Sequence, residues 1–155
     1  MALEIEHKYI VVSDEYKSIA EKSIHIRQGY LSDDKQRTVR VRMFGDKAFL
    51  TIKGQNVGAV RAEYEYEIPV ADAEAMLNTL CKKPIIDKTR HIVPYEGNRW
   101  EIDEFAGQLS GLTLAEIELP SEVYSYPLPP FVGKNVTDDP RYYNSVLSAS
   151  GEIPE

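Results

Sequence analysis

The chain has 155 residues, a formal net charge of −7 and a single cysteine. These values predict one domain, residues 1–155, and exclude an internal disulfide framework and a cysteine-rich zinc site. Lysines and arginines form no block, which argues against broad nucleic-acid binding, because that binding depends mostly on neutralising phosphates. No apolar run approaches the ~20 residues of a membrane-spanning helix, and the start of the chain lacks a signal-peptide pattern. We therefore expect a cytoplasmic protein without a membrane partner.

Strands dominate the predicted elements, and a few helices interrupt them. A strand at 3–12 is followed by a short helix that starts after Ser13 and ends at Lys22. Seven more strands are predicted at 23–31, 37–43, 47–53, 60–69, 85–93, 99–105 and 113–119. Helices are predicted at 71–81 and 141–148. Three prolines, at 127, 129 and 130, predict an irregular stretch before the last helix. The pattern is typical of an α+β protein built mainly from antiparallel strands.

Charged residues occupy alternate positions along the predicted strands, so those of one strand share one face of the sheet. In chain order they are Glu4, Glu6 and Lys8; Arg40 and Arg42; Lys53; Arg61, Glu63, Glu65 and Glu67; Lys88 and Arg90; Glu101 and Asp103; Glu116 and Glu118. The opposite face carries Ile5, Val39, Val41, Leu50, Ile52, Tyr64, Tyr66, Ile68, Ile102, Ala115 and Ile117. We expect this apolar face to pack against the helices.

Two interpretations fit a sheet with one charged face. An antiparallel sheet with a solvated side explains each strand taken alone. The recurrence of Glu-x-Glu, Arg-x-Arg and Lys-x-Arg pairs favours the second interpretation, a closed barrel lined with acids and bases. Buried charges must be paired or bound to ions, so such an interior is a binding site. Carboxylates suit Mg²⁺ or Mn²⁺, and Arg and Lys suit phosphate oxygens. The acids are numerous enough for two metal ions bound with a polyphosphate.

The motifs that carry this pattern also resemble those of a known family. Glu4-Ile5-Glu6-His7-Lys8 resembles the N-terminal E-x-E-x-K signature of the CYTH superfamily, the triphosphate tunnel metalloenzymes. The later motifs agree in order: Arg27 to Leu31, Arg40-Val41-Arg42, Leu50 to Lys53, Arg61 to Glu65, Lys88-Thr89-Arg90, Asp103 to Gly107 and Glu116-Ile117-Glu118. The segment from Val136 to Tyr142 is similar to the C-terminal part of short bacterial members. The resemblance covers nearly the whole chain and implies an eight-stranded antiparallel barrel with helices packed outside it.

The resemblance also implies a role for individual residues. The implied metal ligands are Glu4, Glu6, Glu63, Glu65, Asp103, Glu116 and Glu118, with the register of Glu63, Glu65 and Glu67 left open. The implied phosphate contacts are Lys8, Arg40, Arg42, Lys53, Arg61, Lys88 and Arg90. Lys8, Lys88 and Tyr30 are the expected catalytic residues, Tyr30 being similar to a tyrosine that faces the tunnel near the reacting end in tripolyphosphatase-like members.

Hydrolysis of inorganic tripolyphosphate to pyrophosphate and phosphate is the function that this resemblance favours, with Mg²⁺ or Mn²⁺ as the cofactor and two ions bound. Other enzymes of the same fold remain open: a class IV adenylate cyclase, or a thiamine or nucleoside triphosphatase. A non-catalytic polyphosphate-binding module is a further alternative. The expected partner is a small-molecule triphosphate, and the expected oligomeric state is a monomer or a homodimer.

Overall fold

Nine strands and two helices form the fold in a computed structural model, which describes residues 3–155. The strands are β1 (Leu3–Val11), β2 (Lys22–Ser32), β3 (Arg37–Phe44), β4 (Lys47–Gly54), β5 (Val60–Ile68), β6 (Ile86–Tyr95), β7 (Asn98–Phe105), β8 (Thr113–Glu118) and β9 (Val132–Asn135). The helices are α1 (Val70–Thr79) and α2 (Asn144–Ser150), and 3₁₀ turns occupy Glu15–Ser18, Gly107–Leu109 and Pro140–Tyr142. No helix among residues 3–155 has the length and apolar character needed to cross a membrane.

The first eight strands close into an antiparallel barrel, as the sequence predicts. Their order is β5-β4-β3-β2-β6-β7-β8-β1, and β1 returns to pair with β5 through Leu3↔Ala62, Glu4↔Arg61 and Ile5↔Val60. The short β9 was not predicted; it pairs with the end of β1. The predicted helix after Ser13 is only the turn Glu15–Ser18. The eight-stranded closed barrel is therefore confirmed, with one extra strand beside it.

The strand register places the charged face inside the barrel. Lys8 lies opposite Glu116, and Arg90 lies opposite Asp103. Directly opposed residues point to the same side of a sheet, so these side chains share the interior.

The outer face of the barrel carries apolar residues, and two parts of the chain bury them. Helix α1 packs on Val41 and Ala48, and the segment 120–131 covers Trp100 and its neighbours on β1, β7 and β8. The apolar core thus lies mainly outside the barrel wall.

The C-terminal residues close one end of the barrel. An apolar cluster at that end includes Ile10, Ile86, Phe105 and Leu114, which continue the interior-facing positions of β1, β6, β7 and β8. Leu147 of helix α2 is fully buried in this cluster. Helix α1 packs on the outer wall as predicted, whereas α2 packs across the end of the barrel. The interior is consequently a charged cavity with an apolar floor.

Part of the predicted apolar exterior is not covered. Ile52, Tyr64 and Tyr66 are exposed by 39%, 43% and 58%, although we expected them to pack against helices. They lie on adjacent positions of β4 and β5, in the register Ile52↔Tyr64 and Leu50↔Tyr66. Helix α1 is only ten residues long and packs toward β3 and the start of β4, so it does not reach this part of the wall. The prediction was wrong for these three residues.

Candidate active site

A cavity of about 350 Å³ occupies the barrel interior. Its lining includes thirteen of the predicted site residues: Glu4, Glu6, Lys8, Tyr30, Arg40, Arg42, Lys53, Arg61, Glu63, Glu65, Arg90, Glu116 and Glu118. Lys88 and Asp103 are not in the lining and lie fully buried in the wall. Seven carboxylates and seven cationic side chains line the cavity, so its formal charge is balanced. A polyanion alone would upset that balance, and a polyanion with metal cations would restore it.

One wall of the cavity holds a lysine between two carboxylates. The Lys53 ammonium lies 3.0 Å from Glu4 Oε1 and 3.3 Å from Glu63 Oε2. Burial raises the pKa of Glu4, but Lys53 and hydrogen bonding with Glu63 and Lys53 bring it below its ordinary value. The pKa of Glu63 is raised by burial and by the neighbouring Glu4 carboxylate. The two acids therefore compete for a single cation.

The wall formed by β1 and β8 has a surplus of negative charge. Burial raises the pKa of Glu6 well above its ordinary value, and the Glu116 and Glu4 charges raise it further. Burial and the charges of Glu4 and Glu101 also raise the pKa of Glu118. Glu116 differs: burial opposes its ionisation, yet Lys8 and Arg90 lower its pKa to about 2. Among residues 3–155 neither Glu6 nor Glu118 forms an ion pair, whereas Glu116 lies 3.8 Å from Arg90 Nη2.

Other positions in the cavity have a surplus of positive charge. Lys8 Nζ donates to the Tyr142 carbonyl at 3.1 Å, and Arg42 Nε donates to Gln28 Oε1 at 2.9 Å. Within residues 3–155 neither cation forms an ion pair. Burial lowers the pKa of Arg42 to about 9, and the nearby Arg40 and Arg90 charges contribute. Arg40 Nε is buried without a hydrogen-bond partner in the described chain. Buried donors are nearly always satisfied, so this atom marks a position for an acceptor.

A buried ion-pair network lies behind the cavity wall. Asp103 accepts hydrogen bonds from Arg90 Nε at 2.8 Å and Arg90 Nη2 at 2.9 Å, and Lys88 Nζ lies 2.7 Å from Asp103 Oδ2. Although burial raises the pKa of Asp103, Arg90 and Lys88 hold it far below its ordinary value. Lys88 also donates to Asn144 Oδ1 of helix α2 at 3.0 Å. Both oxygens of Asp103 are therefore engaged by cations, and its assignment as a metal ligand stays a prediction.

The structure adds residues that the sequence prediction missed. Gln28 is fully buried, accepts from Arg42, and donates through Nε2 to the Tyr30 hydroxyl at 3.3 Å. Gln28 lies two residues before Tyr30 on β2, so strand alternation places both side chains on the same face of the sheet. Glu101 lines the cavity and lies 3.4 Å from Arg90 Nη1; its alternation with Asp103 places it on the charged face. Asn144 also lines the cavity, and no strand pattern in the sequence points to it.

The carboxylates suit a divalent metal ion by their chemistry but do not converge as a finished site. Among residues 3–155 no three acid, imidazole or thiol side chains are close enough together to hold an ion. The charges explain the separation, because like-charged carboxylates repel and Glu4 turns to Lys53. Hard divalent cations prefer oxygen ligands that carry negative charge, and these carboxylates are such ligands. Because the carboxylates among residues 3–155 do not converge on one point, the site fits a metal ion that is also bound by phosphate oxygens of a ligand.

Comparisons with known proteins agree with this architecture. A family model described as the CYTH domain matches residues 2–143. An inorganic triphosphatase of Acetivibrio thermocellus is 52% identical over 147 residues, which cover 95% of this chain and 94% of that protein. An inorganic triphosphatase of Nitrosomonas europaea is 36% identical over 152 residues, covering 95% and 97%. A crystal structure of an inorganic triphosphatase superposes with a TM-score of 0.70 at 34% identity, covering 100% of this chain and 99% of the other.

Proposed function

The chain belongs to the CYTH domain family, and on that basis we propose that it is a triphosphatase that hydrolyses inorganic tripolyphosphate to pyrophosphate and phosphate. The relatives that cover nearly its full length are inorganic triphosphatases. The tripolyphosphate would lie in the barrel cavity, whose size is at the lower end of the roughly 300–1,000 Å³ range of ligand pockets.

The single observation that carries the proposal is the separation of unmatched charges within the cavity. Among residues 3–155 no carboxylate lies within ion-pair distance of Lys8 or Arg42, whereas Glu6 and Glu118 face the cavity with raised pKa values. An anion alone would satisfy the two cations and repel the two acids. A complex of a triphosphate with divalent cations satisfies both groups at once, because it offers phosphate oxygens and positive charge together.

Triphosphatases of this family generally depend on a divalent metal ion. We propose Mg²⁺ or Mn²⁺ here, with two ions per cavity. The proposed ligands are Glu4, Glu6, Glu63, Glu65, Glu116 and Glu118, with Asp103 as a further candidate. When bound, the metal supplies Lewis-acid polarisation of phosphate oxygens and of the attacking water. Glu6 and Glu118 are the strongest candidates, because a bound cation removes the repulsion that they otherwise experience.

The cationic residues neutralise the substrate, which is the main task of a protein in phosphoryl transfer. The proposed phosphate contacts are Lys8, Arg40, Arg42, Lys53, Arg61 and Arg90; Lys88, predicted as a further contact, does not line the cavity. Lys8, Arg40 and Arg42 can do so directly, because each has a donor free of carboxylate partners in the described chain. Arg61 is held by the Gly54 carbonyl at 3.0 Å and by Thr38, which leaves it fewer free donors.

Lys8 and Tyr30 are the proposed catalytic residues, and Lys88, also predicted to be catalytic, is proposed as a positioning residue. Lys8 is held against the Tyr142 carbonyl at the floor of the cavity, where its remaining protons can stabilise charge on the phosphoryl group that is released. The Tyr30 hydroxyl is oriented by Gln28 and can donate to a phosphate oxygen. Lys88 does not reach the cavity and acts through Asp103, which fixes the orientation of Arg90.

A substrate panel tests the proposed function. Purified protein is incubated with tripolyphosphate, ATP, GTP or thiamine triphosphate, each with Mg²⁺ or Mn²⁺, and the products are separated chromatographically. We expect pyrophosphate and phosphate from tripolyphosphate at the highest kcat/KM. Cyclic AMP as the main product from ATP would identify an adenylate cyclase instead. Tight binding of tripolyphosphate without turnover of any substrate would identify a polyphosphate-binding module.

The oligomeric state, a monomer or a homodimer, stays a prediction, as does the location of the protein in the cytoplasm.

A further inference from the structure

Gln28 lies behind the cavity wall and contacts two residues that line the cavity. Its side chain is fully buried and does not line the cavity, whereas Arg42 and Tyr30 both do. Arg42 Nε donates to Gln28 Oε1 at 2.9 Å, and Gln28 Nε2 donates to the Tyr30 hydroxyl at 3.3 Å. Gln28 also lies directly opposite Arg42 in the β2–β3 register. One amide group therefore connects a cation and a phenol that both face the proposed substrate.

The chemistry of the three groups fixes the direction of both hydrogen bonds. A guanidinium group only donates, so the amide oxygen of Gln28 must face Arg42. The amide nitrogen then faces Tyr30, and because an amide nitrogen only donates, the phenol oxygen is the acceptor. Among residues 3–155 the Tyr30 hydroxyl has no other hydrogen-bond partner. Its own proton is therefore left for an acceptor in the cavity.

The amide also leaves the charge of Arg42 uncompensated. Gln28 is neutral, and the nearby Asp103 carboxylate is already engaged by Arg90. Burial and the charges of Arg40 and Arg90 lower the pKa of Arg42 to about 9, so its surroundings oppose this charge. A phosphate oxygen that enters the cavity can therefore accept from a cation that is held in position but not neutralised.

The outer wall holds β2 in place at this point. A Cβ atom added to Gly29, between Gln28 and Tyr30, would lie 2.9 Å from the Cβ of Cys81, so the chain that follows α1 packs directly on the β2 backbone. The Tyr30 carbonyl also accepts from the Lys82 N–H at 3.0 Å. Because alternate side chains of a strand face opposite sides, these outer contacts fix the points from which Gln28 and Tyr30 enter the interior.

Building on the triphosphatase function proposed above, we propose that Gln28 is a positioning residue whose neutral amide keeps Arg42 available to phosphate and turns the Tyr30 proton toward the substrate. A glutamate at this position would have the same length and the opposite effect. Its carboxylate would pair with Arg42 and accept the Tyr30 proton, which would withdraw one positive charge and one donor from the substrate. The site therefore requires an amide, and not merely a polar group of that size.

Gln28→Glu separates this role from packing, because it keeps the size of the side chain and adds one charge. We expect kcat/KM for tripolyphosphate with Mg²⁺ to fall about 100-fold. The variant should nevertheless unfold at a temperature no lower than the wild type does, since the new carboxylate compensates Arg42.

Two further variants complete this comparison. Gln28→Met removes the acceptor of Arg42 but leaves its charge, so we expect kcat/KM to fall only about tenfold and the unfolding temperature to fall as well. Gln36→Glu adds the same charge at an exposed position between β2 and β3. It is the matched control for Gln28→Glu and is expected to change neither quantity.

A double-mutant cycle tests the direction of the Tyr30 proton. Tyr30→Phe is expected to lower kcat/KM about tenfold in the wild type, because it removes a donor to phosphate. In the Gln28→Glu background the same change should cost less than about twofold, because the carboxylate has already taken that proton. Equal costs in the two backgrounds would overturn the proposed orientation of Tyr30.

Wild-type kcat/KM in Gln28→Glu would overturn the role of Gln28. The same conclusion would follow if Gln28→Glu unfolded below the wild-type temperature and were no less active than Gln28→Met. The affinity for an imido-bridged tripolyphosphate analogue that resists hydrolysis, measured by calorimetry with Mg²⁺, separates these outcomes from a failure of the proposed function. A wild type that hydrolyses no triphosphate but binds the analogue more tightly than Gln28→Glu does would contradict the triphosphatase function and support the role of Gln28. A wild type that hydrolyses tripolyphosphate and binds the analogue no more tightly than Gln28→Glu does would contradict the role at Arg42 alone.

Discussion

Glu6→Gln lowers tripolyphosphate hydrolysis by about 100-fold or more, and the same substitution makes the metal-free protein more stable. The loss of activity follows from losing a charged metal ligand, since even outer-shell partners of a metal site cost roughly 10- to 100-fold. The gain in stability follows from the raised pKa of Glu6, which burial and the Glu116 and Glu4 charges cause. Removing such a repelled charge commonly adds about 0.5–2 kcal/mol to the free energy of unfolding.

The pH dependence of that stability gain has a defined sign. A carboxyl group whose pKa is raised by folding destabilises the folded state when it is ionised. The cost is therefore absent well below the ordinary pKa of glutamate and complete once the pH exceeds the raised value. Urea unfolding in EDTA should show a larger difference between Glu6→Gln and the wild type at pH 8 than at pH 4.

Glu4→Gln is the matched control for Glu6→Gln. It is the same change two residues earlier on the same face of β1, but Glu4 is paired with Lys53 at 3.0 Å. We expect Glu4→Gln to lose activity and also to lose stability in EDTA. Wild-type hydrolysis by Glu6→Gln throughout an Mg²⁺ titration, or a Glu6→Gln protein that unfolds more easily than the wild type, would refute the charge assignment of this wall.

Asp103→Asn lowers the free energy of unfolding by about 3–5 kcal/mol, the usual cost of removing one partner of a buried ion pair. Asp103 is 1% exposed and compensates two cations, Arg90 and Lys88. Both would be left buried without a full negative charge. Urea unfolding at pH 7 measures the loss. Glu101→Gln is the control, because among residues 3–155 Glu101 forms an ion pair with Arg90 alone, at 3.4 Å and nearer to solvent; we expect a loss of about 1 kcal/mol or less.

The stability difference caused by Asp103→Asn also has a defined pH window. Arg90 and Lys88 hold the pKa of Asp103 far below its ordinary value. Its contribution is therefore fully present above the unfolded pKa of about 3.9 and is lost only as the pH falls below it. Wild type and variant should differ at pH 5 at least as much as at pH 7. Burial lowers the pKa of Lys88 to about 7 and loss of Asp103 lowers it further, so that the variant relieves part of its loss at pH 7 by releasing the Lys88 proton. An equally stable variant that needs much more Mg²⁺ for activity would show instead that Asp103 is a metal ligand.

Strict alternation made the barrel and its charged interior predictable from the sequence. Because side chains alternate between the two faces of a strand, the sequence shows which of them share a face. The repeated pairs of charged residues on β1, β3, β6 and β8 indicate that this face lies inside the barrel. Charge alone does not distinguish the depth of a side chain within the interior. Lys88 was therefore predicted to contact phosphate as Arg90 was, and Asp103 was predicted to bind metal, although the structure places both behind the cavity wall.

The remaining features depend on packing between distant parts of the chain. Gln28 and Asn144 are neutral, so no charge pattern singles them out, and their roles follow from contacts with Arg42 and Lys88. Helix α2 closes the barrel because Leu147 meets an apolar ring contributed by four strands. Ile52 is exposed because α1 ends before it covers that part of the wall. None of these arrangements is local in sequence.

We expect the cavity to hold a triphosphate only together with a divalent metal ion, and an Mg²⁺ titration tests this claim most directly. Phosphate release from tripolyphosphate is measured on EDTA-treated protein as Mg²⁺ is restored, with Glu6→Gln in parallel. The wild type should release no phosphate in EDTA and regain full activity as Mg²⁺ rises, whereas Glu6→Gln should stay inactive throughout. Full hydrolysis by the wild type in EDTA would contradict the claim.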